Sequence, residues 1–198
     1  MQRAEIIDAV AAERDGAAIV VSPGASSGLM YYANDPPHPA TIYNMELGYA
    51  TAVAYGIALG RPGERVIAVE GDGSMFAGVQ VLGTLARFPA TNLTIVVLAN
   101  NIWGTGEADI ATTPGSPAQL AALALACGLP AGRVHTVDDA ATLRALLAQT
   151  KTVPGPWFVC AVTERSSGDR SGTRARGRVL LDTVEAVDLT RRYLRDRR

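Results

Sequence analysis

The sequence has 198 residues, 18 of them Lys or Arg and 19 Asp or Glu, for a net charge of −1, and is 48% hydrophobic with 6% aromatic residues. That length suits one α/β domain with a sizeable core, and the near-neutral balance lacks the basic footprint of a nucleic-acid binder. No apolar run reaches the roughly twenty residues of a membrane span and no basic-then-apolar leader precedes the first helix, while Cys127 and Cys160 lie in apolar surroundings without CxxC spacing, so the expectation is a cytoplasmic protein with reduced core thiols.

From the N-terminus, Ile6, Ile7, Val10 and Ala11 make a helical stripe across Arg3 to Arg14, and Gly16 ends it. Ala18 to Val21 reads as a short buried strand. Ser22 to Gly28 (SPGASSG) is a polar, glycine-bearing turn leading into a helix from about Ser27 to Ala33. The stretch NDPPHP, from Asn34 to Pro39, is irregular because its three prolines permit neither helix nor ladder. His38 within it reads as an exposed loop histidine, with an active-site orientation as the alternative. Thr41 to Tyr43 is a brief strand, and the Ala- and Gly-rich run through Leu59 is a helix whose small residues Gly48, Ala52 and Gly56 let neighbouring backbone come close. Arg61 to Glu64 is a turn.

The stretch from Val66 to Gly104 organises the rest. An apolar run from Val66 to Val69 stops at Gly71-Asp72-Gly73-Ser74, a helix continues to about Arg87, and a second apolar run, Leu93 to Leu98, ends at Asn100-Asn101. The separation of Asp72 from Asn101 suits strand, crossover helix and strand. In a parallel sheet both residues then stand at the carboxyl edge, where open α/β sheets bind ligands. A carboxylate and an amide oxygen held together suit a hard cation such as magnesium, which takes one or two protein side chains plus phosphate oxygens. Gly71 and Gly73 allow backbone close to a ligand, and the N–H groups of Ser74 and Met75 can receive an anion.

Beyond it, Trp103 to Pro117 (WGTGEADIATTPGSP) has no periodicity; beside a metal site such a loop can close over a ligand, and Glu107, Thr112 and Thr113 either reach substrate or face solvent. Pro117 to Cys127 is helical and ends at Gly128. Arg133 to Val137 is a strand in which His135 reads as structural, Asp138 or Asp139 caps a helix reaching Gln149, and Pro156 to Val162 is the last strand. Residues 164–178 (ERSSGDRSGTRARGR) read as a flexible or partner-ordered segment. Its Arg170, Arg174, Arg176 and Arg178 can draw in an anionic substrate, although a solvated linker is the commoner meaning of such a run. A final helix, Leu181 to Arg195, carries apolar positions at Leu181, Val184, Val187 and Leu194 and would pack on this domain or on a partner. The whole of residues 1–198 reads as one domain.

GDGS between two apolar strands, with NN at the end of the second, resembles the cofactor-binding signature of thiamine diphosphate enzymes. The resemblance implies an α/β fold of three layers, a parallel sheet with helices on both faces. It implies that Asp72, Asn101 and the backbone carbonyl of Trp103 hold Mg2+ against the diphosphate, with Gly71, Gly73, Ser74, Met75 and Gly104 also lining the cofactor. The segment Asn44 to Ala50 occupies the place of a GSMGHA-like stretch. Its position implies that the Met45 carbonyl meets the aminopyrimidine and that Leu47 props the cofactor into its bent shape; Met45 stands where the family has glycine and Glu46 where it has serine. The activating glutamate comes from the other, pyrimidine-binding domain in that family, so Glu46 is a candidate for that catalytic role only against the alternatives of a substrate contact or a partner-facing salt bridge.

Val20 to Thr113 also resembles the diphosphate-binding half of phosphonopyruvate and sulfopyruvate decarboxylases, through VVSPGASSGLMYY, YNMELGYATAVAYGIALGRP and GDGSMF. The likeness implies a separate pyrimidine-binding subunit, most simply two of each chain (alpha2beta2), and decarboxylation of a small anionic 2-oxo acid to an aldehyde, with the coenzyme as electron sink. An acetolactate synthase-like carboligase subunit and a non-catalytic cofactor-binding partner are the alternatives. A nucleotide-binding Rossmann domain is disfavoured, because SPGASSG lacks GxGxxG and the acidic tip at Glu70 would face a phosphate.

Overall fold

The strands of the computed structural model, which describes residues 1–34, 36–103, 110–112, 118–164 and 179–197, are β1 (Ala18–Val21), β2 (Thr41–Ile42), β3 (Val66–Gly71), β4 (Leu93–Ala99), β5 (Ile102–Trp103), β6 (Ile110–Ala111), β7 (Val134–Val137) and β8 (Trp157–Val162). Six of them form a parallel sheet in the order β2-β1-β3-β4-β8-β7, and β5 with β6 makes a separate antiparallel ribbon. The helices are α1 (Arg3–Ala12), α2 (Ala25–Tyr32), α3 (Ala50–Gly60), α4 (Asp72–Ala77), α5 (Val81–Arg87), α6 (Ala118–Ala126), α7 (Ala140–Gln149) and α8 (Thr183–Arg195).

The central strands are buried along nearly their whole length, and mostly apolar, because both faces are covered. Side chains alternate across β3: Val66 and Ala68 pack with Ala54 and Ala58 of α3, Leu82 and Leu85 of α5 and Leu120 of α6. Ile67 and Val69 pack on the other side with Ile6 and Val10 of α1, Met30 of α2 and Leu143 and Leu147 of α7. The result is the three-layer parallel architecture expected above. The chain leaves β1 outward to β2 and then returns to place β3 on the other side of β1. The tips of β1 and β3 therefore flank a topological switch point, where sheets of this kind open a crevice.

Several local expectations change. The helix expected from Ser74 to Arg87 is two helices, interrupted after Ala77. At the break Gly78 lies against the Gly48 backbone, and a Cβ built on it would lie 2.0 Å from the Gly48 carbonyl oxygen. Gly48 itself has φ +82°, a conformation in which a side chain would be strained. The last helix begins at Thr183, because Asp182 caps it by accepting from the Val184 N–H at 2.8 Å. It packs on this domain through buried Ala186, Thr190 and Leu194, with Leu181 and Val187 partly buried against the core, whereas Val184 is 77% exposed. His38 is half-buried at the amino end of β2, opposite the carboxyl edge. Its Nδ1 accepts from the Ala40 N–H at 3.1 Å, and its ring meets Tyr193 edge-on at 5.2 Å. Burial, with Arg14 and Arg197 nearby, pushes its pKa down to about 4. His135 stacks on Trp157 as a structural residue, with Arg133 4.7 Å from the same ring. The basic stretch 165–178, with Arg170, Arg174, Arg176 and Arg178, lies outside the described residues. Among those described, no helix is long and apolar enough to cross a membrane.

Candidate functional site

β3 and β4 run side by side up to Gly71 and Leu98, which are register partners. The chain turns away from both strands immediately afterwards. Gly71 is the N-cap of α4, so Asp72 is the first residue of that helix, 3% exposed. Asn101 adopts φ +59°, the left-handed region that asparagine tolerates better than most residues. The Thr112 hydroxyl joins the two tips: its Oγ1 lies 2.9 Å from Asp72 Oδ2 and 3.0 Å from Asn101 Oδ1. The other carboxylate oxygen, Oδ1, accepts from the Gly73 N–H at 3.0 Å.

One hydroxyl carries one proton, so it can donate to only one of these two oxygens at a time. A half-turn of the Asn101 amide would satisfy all three groups, and a cation would satisfy the two oxygens directly. This carboxylate and amide oxygen, converging at the carboxyl edge, are a donor set that fits a hard, oxygen-seeking ion such as Mg2+. Burial raises the Asp72 pKa, and the hydrogen bonds from Thr112 and Gly73 oppose that shift. Trp103 closes one side: a Cβ built on Gly73 would sit 2.9 Å from the indole Cγ, so the second glycine of GDG is required by the ring above it. Gly104, Glu107 and Thr113 lie outside the described residues.

Serine hydroxyls tie the remaining loops together. Ser22 Oγ at the tip of β1 accepts from the Gly71 N–H at 3.2 Å. Ser27 Oγ donates to the Ser22 carbonyl at 3.1 Å and accepts from the Asn44 N–H at 2.7 Å. Ser74 Oγ accepts from the Gly48 N–H at 3.0 Å, and the Met45 N–H donates to the Val21 carbonyl at 2.9 Å. The turn Met45–Gly48 is thus fastened to both β1 and α4. Within it Met45 packs against the core, Leu47 is only half-buried and Glu46 is exposed, its Oε1 accepting from the Leu47 N–H at 3.3 Å. Met75 is fully buried in the core beneath α3. A cavity of about 600 Å³ opens beside the β1 and β2 tips, walled by Gly24, Ala25, Gly28, Asn44 and Val179 to Thr183.

The sequence names Glu70 only as the acidic strand tip that disfavours a nucleotide-binding Rossmann domain. Glu70 is 0% exposed and lies on the α3 side of the sheet, where Oε1 accepts from the Thr51 N–H at 2.8 Å. Burial raises its pKa against the opposing influence of the Ser74 and Thr51 hydroxyls. The available signal was a lone charge in an otherwise apolar strand. The Ser22–Gly28 turn and Thr112 were noted in the sequence, but the ties that Ser22, Ser27 and Thr112 make were not legible there.

Comparison with known proteins agrees with this geometry. The family model described as "Thiamine pyrophosphate enzyme, C-terminal TPP binding domain" matches residues 24–161. Acetolactate synthase 2, chloroplastic, of Nicotiana tabacum is 33% identical over 131 residues, 57% of this chain and 19% of that protein. Phosphonopyruvate decarboxylase of Streptomyces viridochromogenes is 31% identical over 156 residues, 79% of this chain and 38% of that protein. Sulfopyruvate decarboxylase subunit beta of Methanocaldococcus jannaschii is 28% identical over 123 residues, 61% of this chain and 63% of that subunit. The matches therefore span less than two thirds of each of these relatives. The fold is shared with the thiamine diphosphate-dependent 4-hydroxybenzoylformate decarboxylase of Rhodococcus jostii RHA1, at a TM-score of 0.70 and 22% identity over 85% of this chain and 33% of that one. The chain belongs to the thiamine pyrophosphate enzyme family, to which it contributes a domain of the C-terminal, TPP-binding type.

Proposed function

We propose that this chain is the diphosphate-binding, beta-type subunit of a thiamine diphosphate- and magnesium-dependent 2-oxo acid decarboxylase, completed by a separate pyrimidine-binding subunit and acting in the cytoplasm. The observation that carries the reading is the convergence of Asp72 and Asn101 on the Thr112 hydroxyl at the carboxyl edge. Asp72, Asn101 and the Trp103 carbonyl hold Mg2+. Gly71, Gly73, Ser74, Met75 and Gly104 line the diphosphate side, while the Met45 carbonyl and Leu47 meet the rest of the coenzyme. When bound, thiamine diphosphate supplies the electron sink that decarboxylation of a 2-oxo acid needs. The protein contributes position, charge neutralisation and exclusion of water; Asp72 and Asn101 transfer no proton.

The α3 helix supports the two-chain arrangement. None of its residues is charged, yet with Tyr49 just before it and Leu59 near its end it exposes large apolar groups at 58% and 53%. Phe88, at the end of α5, adds another at 57%, and the Phe88 carbonyl accepts from Tyr55 Oη of α3 at 2.6 Å. This face starts at the Met45–Gly48 turn and so is continuous with the site that a pyrimidine-binding subunit must complete. Two of each chain is the simplest assembly. Glu46, exposed on that turn, contacts the partner or the substrate, and the activating glutamate comes from the partner.

Similarity to acetolactate synthase favours one second reading, in which the same site joins the decarboxylated fragment to another carbonyl compound. Product analysis with a 2-oxo acid, Mg2+, thiamine diphosphate and the partner subunit separates the two. An aldehyde and carbon dioxide are expected, whereas a ligated ketol as main product in the presence of an acceptor would establish the carboligase. Calorimetry tests both, because a chain that fails to bind thiamine diphosphate with Mg2+ beside its partner is a non-catalytic subunit.

A further inference from the structure

Glu70 has no task in the proposed chemistry, yet its placement is specific. We propose that Glu70 is a positioning residue that holds the Met45–Gly48 turn in register with the Asp72 loop. The proposal rests on the reading above, in which that turn receives the part of the coenzyme beyond the diphosphate. Glu70 follows Val66 and Ala68 on the α3 face of β3, and its Oε1 is fastened to the first turn of α3 through the Thr51 N–H at 2.8 Å. On the α4 side, Ser74 accepts from the Gly48 N–H at 3.0 Å, and its hydroxyl opposes the burial-driven rise of the Glu70 pKa. Glu70 and Ser74 together therefore tie the turn and the helix that continues it to the strand and helix that carry Asp72.

Two further observations favour positioning over plain stability. Gly48 and Gly78 are in backbone contact, so a shift at α4 moves the turn instead of being absorbed by loose packing. Glu70 is 0% exposed, and its Oε1 is held by the Thr51 N–H at 2.8 Å. A core serving stability alone would do as well with an apolar side chain in this row, because a buried charge carries a desolvation cost that its contacts must offset.

The test compares two probes on the full chain with its partner, magnesium pyrophosphate and thiamine diphosphate with magnesium, in wild type, Glu70→Gln and Glu70→Met. Pyrophosphate reports on the Asp72–Asn101 grip alone; the whole coenzyme also reports on the turn. In both variants the affinity for thiamine diphosphate should fall about tenfold or more, the scale of one charge-assisted hydrogen bond, with magnesium pyrophosphate affinity held within about twofold. Glu70→Met should unfold at a temperature no lower than Glu70→Gln. Equal losses for the two probes, no loss for either, or failure of both variants to fold would overturn the proposal and make Glu70 a structural residue. A wild type that binds neither probe would instead reject the cofactor reading, and this inference with it.

Discussion

Thr112 stands between the two oxygens that the proposed cation would join, and its hydroxyl ties the two strand tips together. Thr112→Val leaves Asp72 Oδ2 without that donor. The expected cost is about 1–3 kcal/mol of stability in the absence of ligand, the usual penalty for a buried acceptor that loses its partner. Magnesium with thiamine diphosphate should recover most of it, so the ligand-induced rise in melting temperature is expected to be larger in the variant than in wild type. At the opposite edge, His38 gives a pH signature. Its folded pKa of about 4 lies below the ordinary 6.5, so between these values the unfolded chain binds more protons and stability falls as pH falls. His38→Asn keeps an acceptor for the Ala40 N–H but does not titrate, and it should flatten that part of the stability profile between about pH 6.5 and 4, as read by denaturant midpoints.

At the scale of elements, the turn Met45–Gly48 depends on two glycines far apart in sequence. The helix after GDG is interrupted at Gly78, and the Gly48 carbonyl lies against it. Gly78→Ala places a methyl carbon where that oxygen already is, and the backbone of the turn or of α4 must move. A loss of about 2 kcal/mol or more is expected by thermal unfolding, together with weaker binding of thiamine diphosphate; a variant as stable as wild type would show that the contact is slack. The helix α8 illustrates a different dependence. Of the apolar positions Leu181, Val184, Val187 and Leu194, only Val184 faces out; the Thr190 hydroxyl, which donates to the Pro39 carbonyl at 3.2 Å, helps fix the buried Ala186–Thr190–Leu194 row.

For the molecule as a whole, the uncharged outer face of α3 is the surface proposed for the pyrimidine-binding subunit. Leu59→Glu puts a charge on that face without touching the site, and because the side chain is already 53% exposed the isolated chain should keep its stability within about 0.5 kcal/mol. Association with the partner, followed by co-purification and titration, should weaken on the order of tenfold or more, since the carboxylate would be buried without a counter-charge. Unchanged association would move the interface elsewhere.

The sequence by itself determined the sheet's strands, the helices between them apart from the break after Ala77, and the placing of Asp72 and Asn101 at one edge. Strand and helix patterns are local periodicities, and two parallel strands joined by a crossover bring their tips to the same side whatever else the chain does. Family membership was legible for the same reason, since GDGS and NN sit at fixed points of that unit. Tertiary structure alone decided the Thr112 bridge, the Ser22, Ser27 and Ser74 ties, the Gly48–Gly78 contact, the inward phase of α8 and the burial of Glu70 under α3. Most of these join residues distant in sequence, while α8 takes its phase from its neighbours. Their strength depends on hydrogen-bond distances and packing to within a fraction of an ångström, which no periodicity records.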